Sequence, residues 1–251
     1  MALLVVNHLK KKFQDQKQDL QVIEDVSFSV EQGECLGLIG ESGCGKSTTA
    51  NIIARLLKED GGEILFDGRD LTKGRRVKCV GKELQMVFQK PKDSFNPRYT
   101  LLQGVMEGAR HYGIYTKRKL QEKAKEMIGY VGLNDSLWNM PIRTMSGGEC
   151  QRAAIARALL CNPKMIICDE ATSALDVSVQ AQIIHLMKKL KKERKMAMLF
   201  ITHDLALAAT ICDKIAVMNQ GRIIEYGNTQ AVLQDPKEEY TKLLLESVIS
   251  I

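Results

Sequence analysis

The chain has 251 residues, 45% of them hydrophobic and 26% charged, enough to bury a full core and too apolar for a disordered protein. No apolar run approaches the roughly 18 to 20 residues that span a bilayer, and the start runs apolar and then basic (Lys10, Lys11, Lys12), the reverse of a secretory signal, so no targeting segment is expected. The formal net charge of +6 comes from scattered basic residues without interleaved aromatics, which speaks against a nucleic-acid partner.

In chain order, strands are predicted at residues 3–9 and at 22–30, where Val26, Phe28 and Val30 alternate with Ser27 and Ser29. The nearly continuous apolar run at 35–39 suits a strand buried on both faces. A glycine-rich turn follows, then a helix over 45–57 that ends in 58–62. Further strands are predicted at 63–66, 84–88, 165–168, 197–202, 214–218 and 222–226. Between them the texture changes: Leu120, Ala124, Met127, Ile128 and Val131 recur at helical spacing, and 148–161 reads as another helix. Residues 93–160 are therefore expected to be a mostly helical insertion in an α/β core of 1–92 and 161–220, with a last strand and tail helices over 221–251. No internal repeat appears, so the chain is one unit and not a tandem pair.

Basic clusters lie at 10–12, 73–78 and 188–195; the last shares a predicted helix with Val179, Ile183, Met187 and Leu190 and reads as a solvated face. Seven cysteines (Cys35, Cys44, Cys79, Cys150, Cys161, Cys168 and Cys212) include no Cys-x-x-Cys pair, so they are expected to be small buried residues in a reducing compartment.

Two motifs carry chemistry. Gly40-Glu41-Ser42-Gly43-Cys44-Gly45-Lys46-Ser47 matches the phosphate-loop pattern and sits between a buried strand and a helix. Its glycines let backbone N–H groups turn inward on phosphates at a helix N-terminus, where Thr48 continues the site. Lys46 supplies positive charge to the β and γ phosphates of ATP, and Ser47 offers a hydroxyl to Mg²⁺. The second motif is the apolar strand that ends in Asp169 and Glu170. Ligands gather at the carboxyl ends of parallel strands, where Asp169 can orient Mg²⁺ and Glu170 can polarise the attacking water. Alone, such an acidic pair would read as a helix N-terminus with its preferred charges; the first motif gives it force.

Ser146-Gly147-Gly148-Glu149 runs into Gln151-Arg152 and Ala156-Arg157-Ala158-Leu159. The stretch resembles the signature of ABC-type ATPases, usually Leu-Ser-Gly-Gly-Gln, and the order of motifs covers nearly the whole chain. The resemblance implies a P-loop NTPase (RecA-like) core with an antiparallel β subdomain and an inserted α-helical signature subdomain. It implies an ATPase whose Ser146, Gly147, Gly148, Glu149 and Asp176 close over ATP held by a partner. It also makes Gln89 the Q-loop glutamine at Mg²⁺, Ser173-Ala174-Leu175-Asp176 the D-loop, His203 the switch histidine, and Phe13 the ring that stacks on adenine. Met145 stands for the signature leucine, Glu149 for the glutamine, and Cys150 follows it. Glu149 is expected to weaken ATP-driven closure and Cys150 to make it thiol-sensitive.

Val87-Phe88-Gln89-Lys90-Pro91-Lys92-Asp93-Ser94-Phe95-Asn96-Pro97-Arg98, with the tail around Asp235-Pro236 and Tyr240-Thr241, is similar to cassettes of oligopeptide, dipeptide and nickel importers. The partners this implies are two transmembrane permease subunits, a second, non-identical ATPase subunit and an extracellular or periplasmic solute-binding protein. The place it implies is the cytoplasmic face of the membrane. DNA-acting and translation-type relatives would carry a long coiled coil or two cassettes, and exporter cassettes lack the Asn-Pro-Arg stretch. A carbon–phosphorus bond-cleaving assembly is the alternative.

Overall fold

The computed structural model describes residues 2–14, 19–73, 80–172 and 175–249. The chain divides into two compact units, residues 1–78 with 190–251, and residues 79–189.

The first unit opens with two long strands, β1 (Ala2–Gln14) and β2 (Asp19–Glu31), paired antiparallel. β3 (Cys35–Ile39), α1 (Lys46–Ile53), β4 (Gly61–Phe66) and the short β5 (Arg69–Asp70) follow. The second unit contains α2 (Val80–Glu83), β6 (Leu84–Val87), α3 (Leu101–His111), α4 (Lys117–Tyr130), α5 (Gly147–Leu160) and β7 (Met165–Asp169). Helix α6 (Val177–Arg194) begins in the second unit and ends in the first. The first unit then adds β8 (Ala197–Thr202), α7 (Leu205–Ile211), β9 (Lys214–Asn219), β10 (Arg222–Asn228), α8 (Thr229–Gln234) and α9 (Glu239–Ile249).

The eight strands of the first unit lie in the order β5-β4-β1-β2-β10-β9-β3-β8. The β5-β4-β1-β2 side is antiparallel throughout, while β3 runs parallel to both β9 and β8. All five residues of β3 are buried, as its unbroken apolar run requires of a strand covered on both faces. In the second unit β6 and β7 pair parallel, with Val87 opposite Cys168, and α3, α4 and α5 pack on one another. Helix α3 starts on a reciprocal cap: the Thr100 hydroxyl accepts from Gln103 N–H, and the Gln103 side chain accepts from Thr100 N–H.

Two boundaries differ most from the sequence expectation. β1 runs on to Gln14 because Lys11, Lys12 and Phe13 keep partners on β2 (Ile23, Gln21 and Leu20) beyond a bulge, although the basic residues break the apolar alternation. Helix α1 stops at Ile53, short of residue 57: Ala54 caps it, Arg55 turns to φ 61°, and Leu56 N–H reaches back to Asn51 O at 2.8 Å. Apolar Leu56 and Leu57 hide that stop from a periodicity reading.

On α6, Ile183, Met187 and Leu190 are buried and Lys188, Lys189 and Lys192 exposed, as expected, while Val179 is only half-buried. Cys35, Cys44, Cys150, Cys161, Cys168 and Cys212 are all buried; Cys79, residues 74–78 of the second basic cluster, and Ser173 and Ala174 lie outside the described residues. Among the described residues no helix is long and apolar enough to cross a membrane.

Candidate functional site

In the first unit the site is built where β3 ends and α1 begins. The loop between them turns tightly because two glycines allow it. A Cβ on Gly40 would fall 2.2 Å from Met218 O, and one on Gly45, at φ +109°, would fall 2.8 Å from Val22 O. Lys46, the first residue of α1, is only 4% exposed. Its ammonium donates to Gly40 O and Glu41 O, both at 2.7 Å, and lies 3.8 Å from Cys44 Sγ. All three partners are uncharged, and no carboxylate among the described residues pairs with it. A buried cation without a counter-charge is costly. An anion bound in the loop, where the helix N-terminus adds its own positive potential, would supply that charge. The Lys46 ammonium, at the N-terminus of α1, therefore fits a nucleotide phosphate. Ser42, Gly43 and Ser47 are exposed on the same loop, Thr48 is half-buried, and burial raises the Cys44 thiol pKa against the pull of Lys46.

His203 leaves the sheet beside this loop. β3 and β8 are parallel neighbours with Ile39 opposite Thr202, so Gly40 and His203 emerge from adjacent strand ends. His203 is exposed, and Asp204 after it caps α7 by accepting from Leu207 N–H at 2.9 Å. Phe13 is 39% exposed near the C-terminal end of β1, opposite Leu20, with Lys11 Nζ 5.4 Å from its ring centre. Val22, two residues on from Leu20, is the residue whose carbonyl stands against Gly45, so β2 passes beside the loop close to where it pairs with Phe13. An exposed ring is available for stacking in a way that a core phenylalanine is not.

The second unit brings together Gln89, Asp169 and Glu170. Asp169 is the last residue of β7, buried at 8% exposure. Glu170, next in the chain, holds φ 45°, a left-handed conformation that costs a non-glycine residue about 1–2 kcal/mol. Gln89, just past the parallel neighbour β6, donates through Nε2 to Glu170 Oε2 at 2.6 Å. Gln89 and Asp169 line one cleft of ≈ 410 Å³ with Phe88, Lys90, Asp93 and Ser94. Aspartate and glutamine oxygens are hard donors of the kind that suit Mg²⁺.

The start of α5 has an ordinary cap with an unusual charge. Ser146 Oγ accepts from Glu149 N–H at 3.3 Å, while Glu149 Oε2 accepts from both Ser146 N–H and the Ser146 hydroxyl at 2.8 Å. These hydrogen bonds from Ser146 hold the Glu149 carboxyl below its usual pKa, so it is anionic at neutral pH. Gly147 shares a smaller cleft with Gln89, Gln151 and Leu175. A Cβ on Gly148 would lie 2.5 Å from Val179 Cγ1. Asp176 is exposed and caps α6, accepting from Val179 N–H at 2.9 Å and Ser178 Oγ at 2.7 Å. The expectation of thiol-sensitive closure at Cys150 is corrected: its side chain is fully buried, with Sγ 3.7 Å from Ile142 O, and burial raises its pKa away from the reactive thiolate.

One residue named only as part of a motif proves to hold the segment after Gln89. Arg157, on α5, donates to Ser94 O at 2.6 Å and to Ser94 Oγ at 2.7 Å, and its guanidinium lies 4.1 Å from the Phe95 ring centre. Asn96 Oδ1 meanwhile accepts from Arg98 N–H at 3.0 Å, closing the turn. Arg157→Ala is expected to cost about 2–4 kcal/mol, from the lost fork, the lost ring contact and an unpaired Ser94 carbonyl. Chemical denaturation reads this directly, and a loss under about 1 kcal/mol would place the fork among weak surface contacts.

A model of the family described as "ABC transporter" matches residues 23–173. The oligopeptide transport ATP-binding protein AppF of Bacillus subtilis is 44% identical over 239 residues, covering 94% of this chain and 73% of that protein. The oligopeptide transport ATP-binding protein OppF of Haemophilus influenzae is 43% identical, covering 98% of this chain and 78% of that one. Among solved structures, the ATP-binding cassette MJ0796 in a dimeric post-hydrolysis state bound to ADP and Pi superposes with a TM-score of 0.82 at 27% identity, over 90% of this chain and 98% of that one. The cbiO1 protein of Clostridium perfringens, part of the cbiONQ complex, gives 0.81 at 26% identity, over 93% and 91%.

Proposed function

The chain belongs to the ABC transporter family of ATP-binding cassettes, and from that premise we propose that it is the ATP-hydrolysing motor of an importer for peptides. The observation that carries the reading is the Lys46 ammonium, buried at the head of α1 with only neutral partners, a place that a nucleotide phosphate completes. The loop from Gly40 to Thr48 holds the phosphates, through Lys46 and the backbone N–H groups at its α1 end, and the ring of Phe13 carries the adenine. Ser47, Asp169 and Gln89 are the residues that would hold Mg²⁺, which supplies positive charge to the phosphate oxygens when bound. Glu170 takes the proton of the attacking water, oriented by Gln89, and His203 meets the γ-phosphate.

Ser146, Gly147 and Gly148 close over the phosphates held by a second, related cassette, with Asp176 at the same interface. Two membrane permeases and a solute-binding protein complete the assembly on the cytoplasmic face of the membrane. Nickel or a metal chelate is the rival cargo, because substrate choice lies with the permeases and the binding protein.

Glu149 sets the ease of closure in this scheme. Its carboxylate holds the Ser146 hydroxyl proton that would otherwise be offered to phosphate, and it brings a like charge toward that phosphate. Glu149→Gln is expected to strengthen ATP-driven association with the partner cassette about fivefold, the effect of removing roughly 1 kcal/mol of repulsion at a wet interface. Sedimentation with ATP under non-hydrolysing conditions measures it, and unchanged or weaker association would clear Glu149 of that role.

The function itself is tested by mass-spectrometric identification of what copurifies with the tagged chain from gently solubilised native membranes. Two permease-like proteins and a second cassette are expected. Recovery with soluble proteins alone, at full ATPase activity, would overturn the importer and favour a non-transport assembly.

A further inference from the structure

Tyr240, on the tail helix α9, has no part in the roles above, yet its hydroxyl reaches the phosphate loop. It accepts a hydrogen bond from Glu41 N–H at 3.0 Å. The carbonyl of that same peptide, Gly40 O, accepts from Lys46 Nζ at 2.7 Å. One peptide plane is therefore gripped at both ends, by Tyr240 on the amide side and by Lys46 on the carbonyl side. The grip matters because Gly40 has no side chain to restrict rotation of the peptide that follows it.

The helix that delivers Tyr240 is itself pinned to the sheet. Glu225, on β10, accepts from Lys237 N–H at 2.9 Å and Glu238 N–H at 3.2 Å, the two amides just before α9 begins. Glu225 stands opposite Val217 on β9, and Val217 stands opposite Ile39 on β3, the residue before Gly40. The anchor of the tail helix and the start of the phosphate loop thus lie in one row of the sheet, and Thr241, next to Tyr240, is fully buried. A carboxylate taking two backbone amides is a charge-assisted contact that resists fraying of the helix start.

We propose that Tyr240 is a positioning residue for the phosphate loop, its hydroxyl setting the plane of the Gly40–Glu41 peptide and so the direction of the carbonyl that guides the Lys46 ammonium. The tail helix is by this account part of the nucleotide-binding apparatus, although it follows the loop by nearly the whole chain. The inference rests on the reading that the loop holds ATP.

The test compares the full chain with its Tyr240→Phe and Lys46→Met variants by calorimetric titration with ATP·Mg²⁺ and ADP·Mg²⁺. Tyr240→Phe keeps the ring and removes only the hydroxyl. Affinity for both nucleotides is expected to fall about three- to tenfold, the range of one lost hydrogen bond. The melting temperature of the unliganded variant should move by no more than about 2 °C. The Glu41 amide should shift in the ¹⁵N spectrum and exchange faster with solvent. Wild-type affinity in Tyr240→Phe, with Lys46→Met impaired, would overturn the positioning role and leave the ATP site standing. A large drop in melting temperature that accounts for the lost affinity would also overturn it, in favour of a purely structural tyrosine. Failure of the wild-type chain to bind ATP, or wild-type binding by Lys46→Met, would bring down the phosphate-loop reading and this inference with it.

Discussion

Replacing Glu170 by glutamine is expected to leave ATP binding intact and slow hydrolysis by roughly 10² to 10⁴, the range for loss of a general base. The substitution isolates chemistry from folding. Glutamine has nearly the same shape and keeps a carbonyl oxygen that can still accept from Gln89 Nε2, now 2.6 Å from Glu170 Oε2. It also meets the same left-handed backbone at φ 45°, so the strain at this position is unchanged. What disappears is the basic oxygen that takes a proton from water. The strained position aims the side chain just past the end of β7, next to the buried Asp169, where two successive carboxylates can serve metal and water separately. Equilibrium binding and steady-state hydrolysis on the same preparation measure both halves, and near-normal turnover would remove Glu170 from the role.

Lys46→Met is expected to separate binding from stability in the opposite sense. Truncating one side of a buried, hydrogen-bonded charge pair costs about 2 to 5 kcal/mol, so ATP affinity should fall from roughly thirtyfold to more than a thousandfold. The unliganded chain should melt no lower than the wild type. Lys46 is 4% exposed and donates only to neutral atoms, so its charge is a burden on the empty fold that methionine lifts, at the expense of two hydrogen bonds. Binding at wild-type affinity would take Lys46 off the phosphates. A marked drop in melting temperature would show that its bonds to Gly40 O and Glu41 O outweigh its desolvation.

Much of this was legible in the amino-acid order because its signals are local. The apolar run Cys35–Ile39, the glycines after it and Lys46 lie within a dozen residues, so strand, turn and helix start announce one another. Ser146 and Glu149 likewise stand at capping-box spacing, and α5 begins there as expected. Helices α4 and α5 were legible for the same reason, since their period is readable turn by turn. The end of α1 was not legible, because a left-handed Arg55 and a return bond to Asn51 stop a helix whose apolar pattern runs on through Leu56 and Leu57.

The amino-acid order by itself determined which residue types stand at each strand end and helix start: the loop lysine, the two carboxylates after β7, the serine and glycines before α5. Only the tertiary structure decided their surroundings. It left Lys46 without a counter-charge, bonded Gln89 to Glu170 across 81 positions, closed Arg157 on Ser94 across 63, and set Tyr240 on Glu41 across 199. The physical reason is one of range. Capping, turn and periodicity preferences act within a few residues and are written along the chain. Burial, counter-charge and the hydrogen bonds of an exposed or buried side chain depend on which distant segments the sheet register places side by side.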